Sequence, residues 1–184
     1  MERTETSSTC GLGTKMPEFS LPATDGHSYT NSYFDGAKAC LVIFTCNHCP
    51  YVKGSEKQMN TTIVEHLEAG LKVIAISSND AEKYPDDSFE KMKEKSSELN
   101  LPYPYLYDET QAVAKSFDAA CTPECYLFDG DKKLVFHGTI NNSPRHPEEA
   151  TENYLTKAVA QVLSGEAVEP SFVHPMGCSI KWKA

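Results

Sequence analysis

With 184 residues, 40% of them hydrophobic and 23% charged, the chain can fill one good core but is short for two comfortable domains. The formal net charge is −9 and arginine occurs only at Arg3 and Arg145, so no basic stripe exists and no nucleic-acid partner is expected. No stretch reaches the roughly 20 apolar residues that span a bilayer, and the polar opening MERTETSSTCGLGTK lacks the apolar run of a secretory signal. No membrane partner is therefore expected, and the expected compartment is cytoplasmic, where thiols are held reduced. Seven cysteines in that setting are not a disulfide framework, and their odd number leaves at least one unpaired.

In chain order, residues 1–16 read as a disordered arm and 17–184 as a single domain. A turn-rich stretch (MPEFSLPATDG) leads into a short strand, and residues 40–44 (CLVIF) form the continuous apolar run of a strand buried on both faces. After TCNHCP (45–50), Val52, Met59, Ile63 and Leu67 share one helical face, with Gly70 placed to end the helix. Residues 73–76 (VIAI) read as a second buried strand. Asp87 followed by Glu90 resembles a capping box, opening a helix with Phe89, Met92 and Leu99 inward. The run EKMKEK (90–95) reads as its solvated face.

Residues 103–107 (YPYLY) suggest a short strand with Pro104 at an end or unpaired position. Asp108 and Gln111 open a further helix carrying Val113 and Phe117. Two strand-like runs, CYLF (125–128) and KLVFH (133–137), flank a DGD turn and predict a hairpin. A last helix takes Pro147, Glu148 and Glu149 in its first turn, with Leu155, Val159 and Val162 inside and Gly165 after it. The tail, 166–184, has no clear period and is expected to pack irregularly. This alternation of strands and helices implies an α/β fold with a mainly parallel central sheet covered on both faces, the hairpin adding antiparallel pairs.

The Cys46-Asn47-His48-Cys49 motif reads as a redox pair, as half of a zinc site, or as two cysteines that happen to lie close. A buried strand ends just before it and a helix begins just after, where backbone N–H groups and the helix dipole favour an anion. Cys46 is thus the candidate thiolate, and Cys49, one turn later, can attack a mixed disulfide and release the product. A protonated His48 would add to thiolate stabilisation. Pro50 leaves two geometries open. Either Cys49 caps the helix and Pro50 is its first residue, or the helix starts near Cys46 and bends. Cys46 is the more exposed candidate in both.

A strand, a Cys-x-x-Cys and a helix, followed later by Thr122-Pro123 directly before another strand, resemble the thioredoxin superfamily. The strings PEFSLPATDG (17–26), CNHCPYVKGS (46–55) and GCSIKW (177–182), with the helix–strand insert over 87–107, are similar to the alkyl hydroperoxide reductase/thiol-specific antioxidant proteins within it. The likeness runs from about residue 17 to 182. It implies a thioredoxin-like three-layer α/β/α sandwich with a mixed central sheet, an N-terminal arm and a helix–strand insert. It also implies that Pro123 is a cis-proline facing the cysteines and that Thr122 presents backbone polar groups to an extended substrate. Two departures stand out: Thr45 occupies the position of the thioredoxin Trp, and residues 38–47 contain no acid to serve as a buried base. His48 and Glu124 are the candidates to replace it.

The expected activity is thiol–disulfide exchange by Cys46 and Cys49 on a protein or small-molecule disulfide, with an external thiol reductant or oxidant, no organic cofactor and no metal. A peroxidase (antioxidant) alternative fits less well, because the peroxiredoxin positions preceding Cys46 hold Ala39 and Ile43, those preceding Cys49 hold Val42 and Cys46, and Arg145 is the sole candidate arginine. A structural zinc site built from Cys46, Cys49, Cys121 and Cys125, and a non-catalytic binding module, are alternatives of another class. Cys121 and Cys178 read either as packed residues or as additional redox thiols. Cys40 and Cys125 read as inert core, Cys10 as functionally silent, His66 as surface, and His137, His146 and His174 as lacking ligand-like spacing.

Overall fold

The structure, a computed structural model, describes residues 11–184; Cys10 lies outside the described residues. Nine strands and four helices are named in chain order: β1 (Ser20–Pro22), β2 (Ser28–Thr30), β3 (Ala39–Phe44), α1 (Pro50–His66), β4 (Leu71–Ser77), α2 (Phe89–Glu98), β5 (Tyr105–Tyr107), α3 (Ala112–Phe117), β6 (Cys121–Thr122), β7 (Glu124–Asp129), β8 (Leu134–Gly138), α4 (Tyr154–Leu163) and β9 (Cys178–Ser179). The central sheet runs β5-β4-β3-β7-β8. Its β3–β4 and β4–β5 pairs are parallel, and its β3–β7 and β7–β8 pairs antiparallel. All six residues of β3 are buried, as a central strand covered on both faces requires.

Alternation along the strands separates two cores. On one face Cys40, Val42 and Phe44 meet Ile74, Ile76, Tyr126 and Phe128, closed by α3 (Ala114, Phe117) and the arm (Met16, Phe19, Phe34). On the other, Leu41 and Ile43 meet Val73, Cys125 and Leu127, under Met59 and Ile63 of α1 and Leu155 and Val159 of α4. The expected three-layer α/β/α sandwich with a mixed sheet is therefore present. Residues 11–16, assigned to the arm from sequence, run along the hairpin: Leu134 N–H donates to Thr14 O (2.9 Å) and Met16 N–H to Lys132 O (2.9 Å).

Three local expectations are corrected. Leu99 is 44% exposed rather than inward, because α2 ends at Glu98 and the chain turns at Asn100 with φ +46°. The last helix begins at Tyr154, not at Pro147; residues 147–149 form a separate 3-10 turn. Ser88, not Asp87, caps α2, its hydroxyl accepting from Lys91 N–H at 3.3 Å. The tail also contributes order: β9 pairs antiparallel with β6.

Gly54 lies inside α1, where glycine costs helix stability, and its place is explained by the chain crossing above it. A Cβ there would stand 2.4 Å from Pro144 O and 2.9 Å from Arg145 O. Ser55 beside it donates to Pro144 O at 2.9 Å. Gly54→Ala is therefore expected to lower stability by about 1–3 kcal/mol, the usual cost of overpacking, measured as the shift in urea-unfolding midpoint. No helix among the described residues is long and apolar enough to cross a membrane.

Candidate active site

β3 delivers the chain into the Cys-x-x-Cys loop at the edge where β3 and β4 end together. Of the two geometries Pro50 allows, the first is realised. Cys49 is the N-cap of α1, with φ −64° and ψ 127°, and Pro50 is the first helical residue. The free N–H groups of the first turn thus converge on Cys49 rather than on Cys46. Cys49 makes no side-chain hydrogen bond to that first turn, and it packs beside Val52 and Cys178.

Cys46 and Cys49 are hydrogen bonded to each other and both face Thr122. Cys46 Sγ lies 3.4 Å from Thr122 Oγ1, and Cys49 Sγ lies 3.3 Å from Thr122 O. The Thr122–Pro123 peptide bond is cis. The structure thus brings Cys46, Cys49, Thr122 and Pro123 into one cluster with Cys178, packed with Val52 and Tyr51. Cys46 and Cys49 are both buried, at 1% and 0% exposed, so exposure hardly separates the two thiols.

The two thiols differ in their surroundings. The Cys46 thiol donating to it, together with the neighbouring Val52 and Cys178, holds the Cys49 thiol well below its ordinary value against the opposing cost of burial. Cys46 is held high by that same bond to Cys49, by burial and by the negative charge of Asp87.

Asp87 is the acid that residues 38–47 lack. Fully buried, it accepts at Oδ1 from Asn47 N–H (2.7 Å) and His48 N–H (3.3 Å), and at Oδ2 from Asn79 Nδ2 (2.8 Å). His48 Nδ1 lies against the same Oδ2, and the imidazole stacks on Tyr84 with ring centroids 5.7 Å apart. The loop is pinned further by Tyr105 Oη donating to Asn47 Oδ1 (2.9 Å), Asn47 Nδ2 to Asp86 O (2.8 Å) and Lys95 Nζ to Cys46 O (3.3 Å). Sequence reasoning placed Asp87 at the cap of α2 and so missed it. The neighbouring Ser88 was the signal, since it supplies a competent cap and leaves Asp87 free to turn inward.

Glu124, the other proposed base, faces elsewhere. It accepts from Ala120 N–H (2.8 Å), Cys121 N–H (3.1 Å), Tyr126 Oη (2.9 Å) and His137 Nε2 (2.6 Å). Its role is to hold the backbone ahead of Pro123. Cys121 is buried, and burial together with the Glu124 charge pushes its thiol up.

The ligating atoms of Cys46, His48 and Asp87 lie within 4.8 Å of one another, a group that a metal ion could join. The four cysteines of the zinc alternative form no such group among the described residues, since Cys125 packs in the core against Leu41 and Ile43 rather than towards the pair. Asp87 accepts three hydrogen bonds, from Asn47 N–H, His48 N–H and Asn79 Nδ2, so its burial is satisfied by protein groups.

Comparison with known proteins agrees with this architecture. No curated protein matches the chain. A hypothetical protein from Sinorhizobium meliloti 1021 is 35% identical, with 98% of this chain and 100% of that chain covered and a TM-score of 0.91. An uncharacterized conserved protein from Geobacillus kaustophilus is 38% identical, with 100% and 97% covered and a TM-score of 0.89. A putative protein disulfide isomerase from Bacteroides thetaiotaomicron, 18% identical with 88% and 95% covered, shares the fold at a TM-score of 0.68. The AhpC/TSA family profile matches residues 12–137, more than half of the chain and the whole span from arm to hairpin. With its thioredoxin-like sandwich and its paired thiols, the chain belongs to the AhpC/TSA family.

Proposed function

We propose that the chain is a thiol–disulfide oxidoreductase working through Cys46 and Cys49. The observation that carries this reading is that both sulfurs meet at Thr122, Cys46 Sγ 3.4 Å from its Oγ1 and Cys49 Sγ 3.3 Å from its carbonyl oxygen, beside the cis Thr122–Pro123 bond. Two sulfurs so placed need only lose two electrons and two protons to bond.

In the proposed cycle Cys46 attacks one sulfur of a substrate disulfide. Its proton passes towards the His48–Asp87 pair, whose ligating atoms lie within 4.8 Å of Cys46 Sγ. One substrate sulfur leaves as a thiol, and the other stays bonded to Cys46, held against Thr122 and Pro123. Cys49 then gives up its own proton and attacks Cys46 Sγ, closing the Cys46–Cys49 disulfide and releasing the second substrate sulfur, which takes that proton and leaves as a thiol. An external thiol reductant restores the pair, and reversal of the same steps oxidises a substrate dithiol. Holding the Cys49 thiol below its ordinary value stabilises the reduced form and so makes the disulfide more oxidising. His48 tunes this balance through its contact with Asp87 beside Cys46.

Cys46→Ser and Cys49→Ser are each expected to abolish catalysed reduction of insulin disulfides. Cys49→Ser should accumulate a mixed disulfide on Cys46, seen as a mass increment on the peptide containing residue 46. Full activity in either variant would overturn the assignment. The peroxidase alternative has less support at the cysteines: Ala39 and Ile43, at the positions that would carry the activating residues, are buried apolar groups of β3. Peroxide consumption assayed beside insulin reduction separates the two.

A further inference from the structure

The last residues of the chain lie over the pair. β9 pairs antiparallel with β6, Thr122 opposite Cys178 and Cys121 opposite Ser179. The strand edge beside the cysteines is therefore already occupied by a segment of this chain, and that segment carries a sulfur. Gly177 comes so close to Thr122 that a Cβ would stand 2.0 Å from its carbonyl oxygen. Beyond β9 the tail is fastened by Ile180 N–H to Ala120 O (2.9 Å), Asp80 N–H to Lys181 O (2.8 Å) and Lys181 N–H to Asn79 Oδ1 (2.9 Å). Gln111, itself in a left-handed conformation with φ +65°, donates from Nε2 to Lys181 O (2.9 Å) and accepts from Lys183 N–H (2.9 Å).

This fastening sets Cys178 against Cys49, and it is the one thiol of the three that is not fully buried. Cys46 and Cys49 are almost fully buried, whereas Cys178 packs against them on one side and reaches solvent on the other. Burial and the neighbouring Cys49 push the Cys178 thiol up to about 11, the charges of Lys181 and Arg145 opposing them only in part.

We infer that Cys178 is a third redox thiol, which β9 presents to Cys49 and which relays disulfide exchange between the buried pair and solutes outside. The inference rests on the dithiol reading above and extends it. Cys178 Sγ attacks Cys49 Sγ of the oxidised pair. The Cys46–Cys49 bond breaks, the Cys49–Cys178 bond forms, and Cys46 leaves as a thiolate that takes the Cys178 proton, with no net oxidation. A low-molecular-weight thiol then attacks Cys178 Sγ and frees Cys49. A second such thiol releases Cys178 and departs as a symmetric disulfide, so two external thiols are oxidised for one protein disulfide reduced.

The test uses the full chain with glutathione disulfide as oxidant and reduced glutathione as reductant. Cys46→Ser, oxidised and mapped by non-reducing peptide mass spectrometry, is expected to hold a Cys49–Cys178 disulfide without bound glutathione. Glutathione on Cys49 with Cys178 free would overturn the relay. In a second measurement that does not depend on Cys46→Ser folding, wild type and Cys178→Ser are oxidised and reduced again with glutathione. Reduction of the Cys46–Cys49 bond should slow about tenfold in Cys178→Ser, a barrier change of about 1.4 kcal/mol; an unchanged rate would also overturn the relay. If wild type forms Cys46–Cys49 but neither relay result appears, the relay alone fails. If wild type never forms Cys46–Cys49, the dithiol reading fails instead.

Discussion

Gly177→Ala is expected to lift β9 from β6 and expose the buried pair. An added Cβ would stand 2.0 Å from Thr122 O, 2.6 Å from Thr122 C and 3.2 Å from Pro123 N. These are backbone atoms held from behind by Glu124, which accepts from the Ala120 and Cys121 N–H groups, so they cannot step aside cheaply. Residues 180–183 keep their own bonds to Ala120, Asn79, Asp80 and Gln111, and Ile180 stays in the core. The displacement should therefore concentrate at 177–179, costing about 1–3 kcal/mol as an overpacked contact does. Iodoacetamide labelling of Cys46 and Cys49, read by mass spectrometry, should accelerate well beyond wild type while far-ultraviolet circular dichroism is unchanged. Unchanged labelling together with an unchanged thermal midpoint would show that β9 does not cover the pair.

Asp87→Asn should separate the electrostatic part of the site from its scaffold. The carboxylate takes the Asn47 and His48 N–H groups, Asn79 Nδ2 and the His48 ring with two oxygens. An amide has one oxygen, and its NH2 would face the Asn79 donor. Leaving a buried donor unsatisfied costs about 1–3 kcal/mol, so the urea midpoint should fall by an amount in that range. The chemistry should change in two opposite ways. Asp87 holds the Cys46 thiol high, so removing its charge should move Cys46 ionisation to lower pH, seen in the pH profile of labelling. Disulfide reduction should nevertheless slow, because the proposed acceptor for the Cys46 proton is gone. Faster labelling with undiminished reduction would sink the proton-acceptor role and leave Asp87 as scaffold.

The fold was largely legible because its strands are unusually apolar. Residues 40–44 and 73–76 can only be buried on both faces, and Cys46 to Cys49 must follow the first of them. Short strands such as β6 and β9 were not legible, since two residues carry no period and their pairing comes from tertiary contact. The site divides in the same way. Cys46 and Cys49 announce themselves by spacing, and Thr122 and Pro123 by resemblance. Asp87 sits about forty positions from the pair, and Asp87 followed by Glu90 reads as a cap just as well as a buried acid. The helix start was ambiguous from sequence, because Pro50 allows two geometries; as the first residue of α1 it makes Cys49 the N-cap.

The central claim is that Cys46 and Cys49 form one reversible two-electron couple. It is tested most directly by equilibrating the protein across glutathione redox buffers, quenching with acid and mapping the disulfides. The account predicts a single two-electron transition whose oxidised end carries the Cys46–Cys49 disulfide. An oxidised end in which that bond never forms would contradict it.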